Sequence, residues 1–337
     1  MAKIGVLGAG GFGIALSVMC TNMEHKVTMW SAFPAEITEI IRDGQNLRLL
    51  PKVKIPPEIS LTSNLEDLLE SELIILAVPS FAVRETAAAL RPLLAAGTVV
   101  ASVAKGLEDT THKRLSVVLE EELPECHIVV MSGPSHAEEV ANGVPTTVVA
   151  ASKNRKAAEQ VQDLLMNSTL RIYVNDDILG VEYGGALKNV IALAAGVCDG
   201  LKLGDNTKAA LMTRGITEIA RLGVAMGADY ETFGGLSGIG DLIVTCTSVH
   251  SRNRRAGIYI GQGNTARQAL EKVGMTVEGY LAAKAAHELA AEQKVEMPIV
   301  EQCYKVLYEG KSPKEAIAEL MGRPKRHESE SIWLAHE

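Results

Sequence analysis

"KIGVLGAGGFGIAL", residues 3–16, runs from a β-branched, apolar segment through three spaced glycines into a second apolar segment. Gly8, Gly10 and Gly13 stand in G-x-G-x-x-G spacing, between a strand-like and a helix-like pattern. Glycines so placed allow a tight turn, and they let the backbone approach a pyrophosphate whose charge then rests on the helix N-terminus. The stretch therefore predicts the first β-turn-α unit of a Rossmann-like, dinucleotide-binding α/β domain. A bare glycine pattern is weak in a chain with 30 glycines. Its position, directly after a strand and before a helix with a second strand to follow, is what gives it weight.

Working outward, short buried-strand patterns alternate with helical ones, the rhythm of a parallel sheet. "KIGVL", "KVTMW", "ELIILAV", "GTVVASV" and "CHIVVMS" read as strands, and "TTVVAAS" and "LRIYVND" extend the sheet. Beyond Asp177 the strand signal stops and helical periodicity takes over. The expected organisation is a dinucleotide-binding domain over 1–177, an all-α substrate domain over 178–328 and a polar tail over 329–337.

The net charge of −8 argues against a general nucleic-acid partner. Five scattered cysteines form no C-x-x-C pair or metal-ligand spacing, so reduced thiols, a cytoplasmic location and no metal site are expected. No signal peptide is read at the start. The longest apolar run, near 186–198, carries Lys188 and Asn189 and is too short to span a bilayer, so no integral membrane segment is expected.

That lysine poses the functional question. Within "VEYGGALKNVIALAAGVCDG", residues 181–200, Lys188 is the only charged side chain between Tyr183 and Cys198, and Gly184, Gly185 and Ala192 share its face. The Gly-Gly pair disfavours the helix by roughly 1 kcal/mol per residue, which implies that something approaches closely there, and the face reads as a hollow for a reacting group. The alternative is a lysine that snorkels to water.

Ligands of open α/β sheets collect beyond the strand carboxyl ends. There lie "VPS" at 78–80, "VAKG" at 103–106 with Lys105, and "SGPS" at 132–135 with Gly133 and Ser135. In the helical half, "GGLSGIGDLIVTCTSVHSRNRRAG", residues 234–257, sets Asp241 and Thr245 four apart on one face. Ser251, Arg252 and Asn253 follow, a donor set suited to a phosphate dianion. The second strand ends at Trp30, and Ser31 and Ala32 behind it are neither acid nor base, so NAD and NADP are not distinguished.

Together "GAGGFG", "VAKG", "SGPSHAEEVANGVPT", "VEYGGALKNVIALAAG" and "GLSGIGDLIVTCTSVHSRNRRAG" resemble the bacterial NAD(P)-dependent glycerol-3-phosphate dehydrogenases from Lys3 to about Glu328. The resemblance implies reversible hydride transfer between NAD(P)H and dihydroxyacetone phosphate, giving sn-glycerol 3-phosphate for phospholipid synthesis, by a homodimer. It further implies Lys188 as proton acceptor. Lys105, Gly133, Ser135, Asn189, Asp241, Ser251, Arg252 and Asn253 would serve the substrate. Gly8, Gly10, Gly11, Phe12, Gly13, Ser31, Lys105, Ala137, Arg252 and Glu278 would serve the cofactor. Many family members carry Ser-Trp at Gly11-Phe12 and a basic residue near Ser31 to Phe33. Two other readings compete: a two-domain hydroxyacid, ketopantoate or imino-acid dehydrogenase, and a cofactor sensor without turnover.

Overall fold

The structure, a computed structural model, describes residues 1–325, 327 and 328; the expected 329–337 tail lies outside the described residues. Eight strands form one sheet in the order β3-β2-β1-β4-β5-β6-β7-β8. They are β1 Lys3–Leu7, β2 Lys26–Trp30, β3 Ser60–Thr62, β4 Leu73–Leu76, β5 Val99–Ser102, β6 His127–Ser132, β7 Thr146–Ala151 and β8 Leu170–Asn175. Seven answer to the sequence patterns. β3 does not: three residues at the sheet edge, "SLT", are too few to show a period.

Pairing is parallel from β3 through β6, and the β1/β4 neighbourhood, where the order reverses, opens the crevice expected of such sheets. At β7 the direction inverts: Val130 pairs antiparallel with Ala151, while β8 runs parallel to β7. The sheet is thus mostly, not wholly, parallel.

Fifteen α-helices complete the described chain: α1 Gly11–Asn22, α2 Pro34–Asp43, α3 Val83–Leu90, α4 Leu115–Glu122, α5 Ala137–Ala141, α6 Arg155–Leu165, α7 Ile178–Gly200, α8 Asp205–Ala225, α9 Tyr230–Phe233, α10 Asp241–Thr247, α11 Arg252–Gly261, α12 Ala266–Val273, α13 Glu278–Gln293, α14 Pro298–Tyr308 and α15 Pro313–Met321. Apolar side chains on the two faces of the sheet form two clusters, one holding Ile4, Ile14 and Ile75, the other Leu7, Ile74 and Leu119. A third cluster surrounds α7 in the helical half.

α7 is long and apolar enough to cross a membrane, but 94% of its apolar window is buried inside the protein. A helix that is apolar on all sides needs partners on all sides, and here they are α8, α10, α11 and α13. Glycines set the closest approach. A Cβ on Gly196 or Gly200 would strike the α11 backbone at Arg254 and Ile258, and one on Gly257 or Gly261 would strike α7. The N-terminus of α7 is anchored by Asp177, which accepts from Gly180 N–H at 2.9 Å and from the Thr232 hydroxyl at 2.6 Å. One turn into the helix, buried Glu182 accepts from Arg114 at 2.6 Å and from Ser116 N–H at 2.8 Å. Thus α7 is tied to the start of α4, and through it to the sheet, before Lys188 is reached.

Candidate active site

The turn after β1 has the properties of a phosphate cradle. Gly8 adopts φ 118°, a conformation that side chains with a Cβ rarely reach. A Cβ on Gly10 would meet open space, and one on Gly13 would collide with the Gly8 carbonyl. The first bond within α1 runs from Ile14 N–H to the Gly10 carbonyl at 3.0 Å, and no side chain caps the helix. The N–H groups of Gly11, Phe12 and Gly13 thus precede the hydrogen-bonded ladder and face an open, electropositive helix end. A dinucleotide pyrophosphate fits there. A Cβ on Gly11 would lie 3.2 Å from the Leu49 carbonyl oxygen and 3.6 Å from Cβ of Ala137, at the start of α5.

Three strand ends and the helical half converge beside this turn. Lys105, on the loop leaving β5, donates to the Gly133 carbonyl at 2.7 Å and to Asp241 Oδ2 at 2.8 Å, with Ser135 Oγ at 3.4 Å. From the opposite side Lys188, only 4% exposed, donates to Asp241 Oδ1 and to Thr245 Oγ1, the latter at 2.7 Å. One carboxylate therefore bridges two ammonium groups from different halves of the chain. Snorkelling is excluded by the burial. The Thr245 hydroxyl gives its own proton to the Asp241 carbonyl at 2.6 Å, which leaves a lone pair aimed at Lys188.

Burial is the largest influence on the Lys188 amine; with Asp241 pulling up and Lys105 pushing down, it is lowered to about 8. Burial also acts to raise the Asp241 carboxyl, but the two ammonium groups more than offset this and hold it below its ordinary value. Each direction follows from the surroundings: a carboxylate between two cations is favoured in its ionised form, and a buried ammonium gives up its proton more easily than one in water.

Beyond this trio the expected residues fall into two groups. Asn189 and Asn253 are bonded to each other at 2.8 Å; Asn253 also accepts from Gly279 N–H at 2.8 Å, so their amides join α7, α11 and α13. Ser251 caps α11 by accepting from Arg254 N–H at 3.2 Å. Glu278 accepts from the Ser80 hydroxyl at 2.8 Å, bringing the "VPS" turn to α13, and a Cβ on Gly106 would touch both residues. Burial raises the Glu278 carboxyl despite Ser80 and Arg252. Arg252 is exposed, and among the described residues its guanidinium has no hydrogen bond or ion pair. It stands at the N-terminus of α11.

The glycine hollow beside Lys188 is filled by the protein itself. A Cβ on Gly184 would lie 2.7 Å from the Ser237 carbonyl oxygen, and one on Gly185 2.6 Å from Ser132 Oγ. These glycines admit the "LSGIG" turn and the end of β6, not a reacting carbon as the sequence suggested. Gly184→Ala is accordingly expected to destabilise the fold by about 1–3 kcal/mol through overpacking, although alanine favours helix by ~1 kcal/mol. Thermal melting checks this, and a raised Tm would show that the hollow has room.

Sequence reasoning placed Thr245 on the Asp241 face without giving it a role. It passed over His136, whose buried Nε2 has no partner and whose ring lies 5.9 Å from that of His250. Burial, then Lys188 and Lys105, hold the His136 imidazole below its ordinary value. Ser31 is 2% exposed, and its hydroxyl is turned onto Glu36 at 2.6 Å, so it does not face a ribose openly.

Comparison with known proteins agrees with this architecture. Residues 3–158 match the family model for the NAD-dependent glycerol-3-phosphate dehydrogenase N-terminus, and residues 177–318 match that for the C-terminus. An NAD(P)+ glycerol-3-phosphate dehydrogenase of Desulfitobacterium hafniense is 53% identical over 334 residues, covering 99% of this chain and 95% of that one. Its counterpart from Moorella thermoacetica is 54% identical over 330 residues, covering 98% of each. The crystal structure of glycerol-3-phosphate dehydrogenase from Coxiella burnetii superposes with a TM-score of 0.92 at 39% identity, over 96% of this chain and 99% of that one. A ketopantoate reductase from Ralstonia eutropha, at 15% identity and a TM-score of 0.62 over 94% of this chain and 99% of that one, shares the fold alone. With both halves matched and relatives more than half identical along nearly their whole length, the chain belongs to the NAD-dependent glycerol-3-phosphate dehydrogenase family.

Proposed function

We propose that the protein interconverts sn-glycerol 3-phosphate and dihydroxyacetone phosphate, with Lys188 as the group that takes or gives the hydroxyl proton. The observation that carries this reading is the buried Lys188–Asp241–Lys105 bridge beside the dinucleotide cradle. The bound nicotinamide supplies the hydride acceptor or donor. A neutral lysine amine has two N–H donors and one lone pair, and Asp241 and Thr245 engage the two donors. The lone pair is then left for the alcohol proton. Lys105, paired with Asp241, helps lower the Lys188 amine to about 8, so that the neutral form is reached close to the pH at which a general base works best.

Arg252, open at the mouth of the cleft, receives the substrate phosphate, with the N-terminus of α11 behind it. Ser135 and Gly133 position Lys105, and Asn189 with Asn253 position the helices that bear Lys188 and Arg252. Glu278 holds the "VPS" turn against the cleft through Ser80.

The test is oxidation of reduced nicotinamide cofactor followed by absorbance. Turnover is expected with dihydroxyacetone phosphate and not with unphosphorylated dihydroxyacetone; equal rates would remove the phosphate assignment. Family membership and five free cysteines support a further reading as a cytoplasmic homodimer. Sedimentation at the mass of one chain would refute the dimer.

A further inference from the structure

The group that meets the adenosine ribose is decided by a chain of hydrogen bonds that begins at Ser31. Its hydroxyl donates to Glu36 Oε2 at 2.6 Å and accepts from Phe33 N–H at 3.2 Å. The other Glu36 oxygen accepts from Asn46 Nδ2 at 3.2 Å, and the same amide nitrogen reaches the Ala9 carbonyl at 3.3 Å. Asn46 is itself fixed, because its Oδ1 accepts the N–H groups of Arg48 and Leu49. The series Ser31–Glu36–Asn46–Ala9 therefore spans from the end of β2 to the turn between Gly8 and Gly10. A dinucleotide whose pyrophosphate sits on that turn must lay its adenosine ribose in this gap.

Each oxygen of the Glu36 carboxylate accepts one hydrogen bond, from Ser31 or from Asn46. A carboxylate offers about four acceptor positions, so two remain. Glu36 is half-buried whereas Ser31 and Asn46 are buried, so the carboxylate is the accessible member of the series. Every partner along it donates to Glu36, and the Ser31 proton is already given away. A ribose hydroxyl can donate to what is left. A 2′-phosphate dianion has no proton to offer and would face a fixed negative charge. Of the cations nearby, Arg42 is paired with Asp43 at 2.7 and 2.8 Å, and Arg48 is exposed on the loop beyond Asn46.

We infer that Glu36, on the first turn of α2 and held by Ser31 and Asn46, selects NAD over NADP by accepting the ribose hydroxyls and repelling a 2′-phosphate. This rests on the assignment of the Gly8–Gly13 turn to a nicotinamide dinucleotide. It gives Ser31 a holding role in place of direct ribose contact. The acid is not at the strand end, where a ribose-reading acid is ordinarily sought, but five residues beyond Ser31.

Equilibrium binding to the full chain tests it by titration calorimetry, with NADH and NADPH and, to isolate the ribose end, ADP-ribose and its 2′-phosphate. The unphosphorylated member of each pair is expected to bind at least about tenfold more tightly, since a like charge set against a bound group typically costs several kcal/mol. Glu36→Gln should shrink that ratio by about as much, chiefly through tighter NADPH binding. Equal or tighter binding of the phosphorylated forms by the unaltered protein overturns the inference. So does a NADPH affinity that falls on Arg48→Ala while Glu36→Gln leaves the ratio within twofold. Should Glu36→Gln fail to fold, the ratio of the unaltered protein decides alone. If none of the four ligands binds, the dinucleotide assignment itself fails, and the inference with it.

Discussion

Lys188→Met is expected to lower turnover by about 100- to 10,000-fold, the usual scale for losing a positioned acid or base, while cofactor binding changes little. Methionine keeps an unbranched stem in the buried slot of α7 and removes only the amine. The proton is then left without an acceptor, and Asp241 retains Lys105 as a partner at 2.8 Å, so no carboxylate is stranded without a cation. Stopped-flow and steady-state rates on a folded variant check the result. More than about a tenth of the parental rate would exclude the general-base role. A pH profile supplies a second reading. The amine accepts a proton only when neutral, so oxidation of sn-glycerol 3-phosphate is expected to rise with pH through about 8 and then level off. Reduction should fall over the same interval, because the ammonium is the donor in that direction. Both limbs should vanish in the methionine variant.

Arg252→Ala carries the second large effect. An arginine that pairs with a substrate phosphate in a cleft is worth on the order of 2–5 kcal/mol when truncated, so the Michaelis constant for dihydroxyacetone phosphate should rise well over tenfold. The guanidinium is exposed and makes no hydrogen bond or ion pair among the described residues, so its loss should leave the melting temperature nearly unchanged. Arg254 makes a useful contrast. It is held by Asp199 at 2.7 Å and braces α11 against α7, so its removal should reduce stability first. A Michaelis constant within twofold of the parent after Arg252→Ala would reduce that residue to surface charge.

Local pattern reached far into this protein. The G-x-G-x-x-G turn, seven of the eight strands and the change to helices after Asp177 are short-range features, set by period and turn chemistry over a few residues. A lone lysine in an otherwise uncharged helix likewise singled out Lys188, and four-residue spacing set Asp241 and Thr245 on one face, the threonine without a role. What they could not show is that they meet. Lys188 and Asp241 are 53 positions apart, and Lys105 and Asp241 136 apart; no periodicity encodes a bridge of that span.

Where pattern and structure part, the reason is tertiary packing in each case. Gly184 and Gly185 announced a close approach, but only the packed structure shows that the visitors are Ser237 and Ser132. Ser31 stood at the ribose-reading position by count, yet its hydroxyl satisfies itself against Glu36, because a buried donor takes the nearest strong acceptor. The reversal of β7 and the edge strand β3 are pairing choices, made between segments rather than within them. The sequence by itself determined most of the elements, the glycine turn after β1 and the chemically unusual lysine. Only the tertiary structure decided which carboxylate serves two lysines, and which glycines and hydroxyls are spent on the protein's own packing, because those choices depend on groups far apart in the chain competing for the same buried partners.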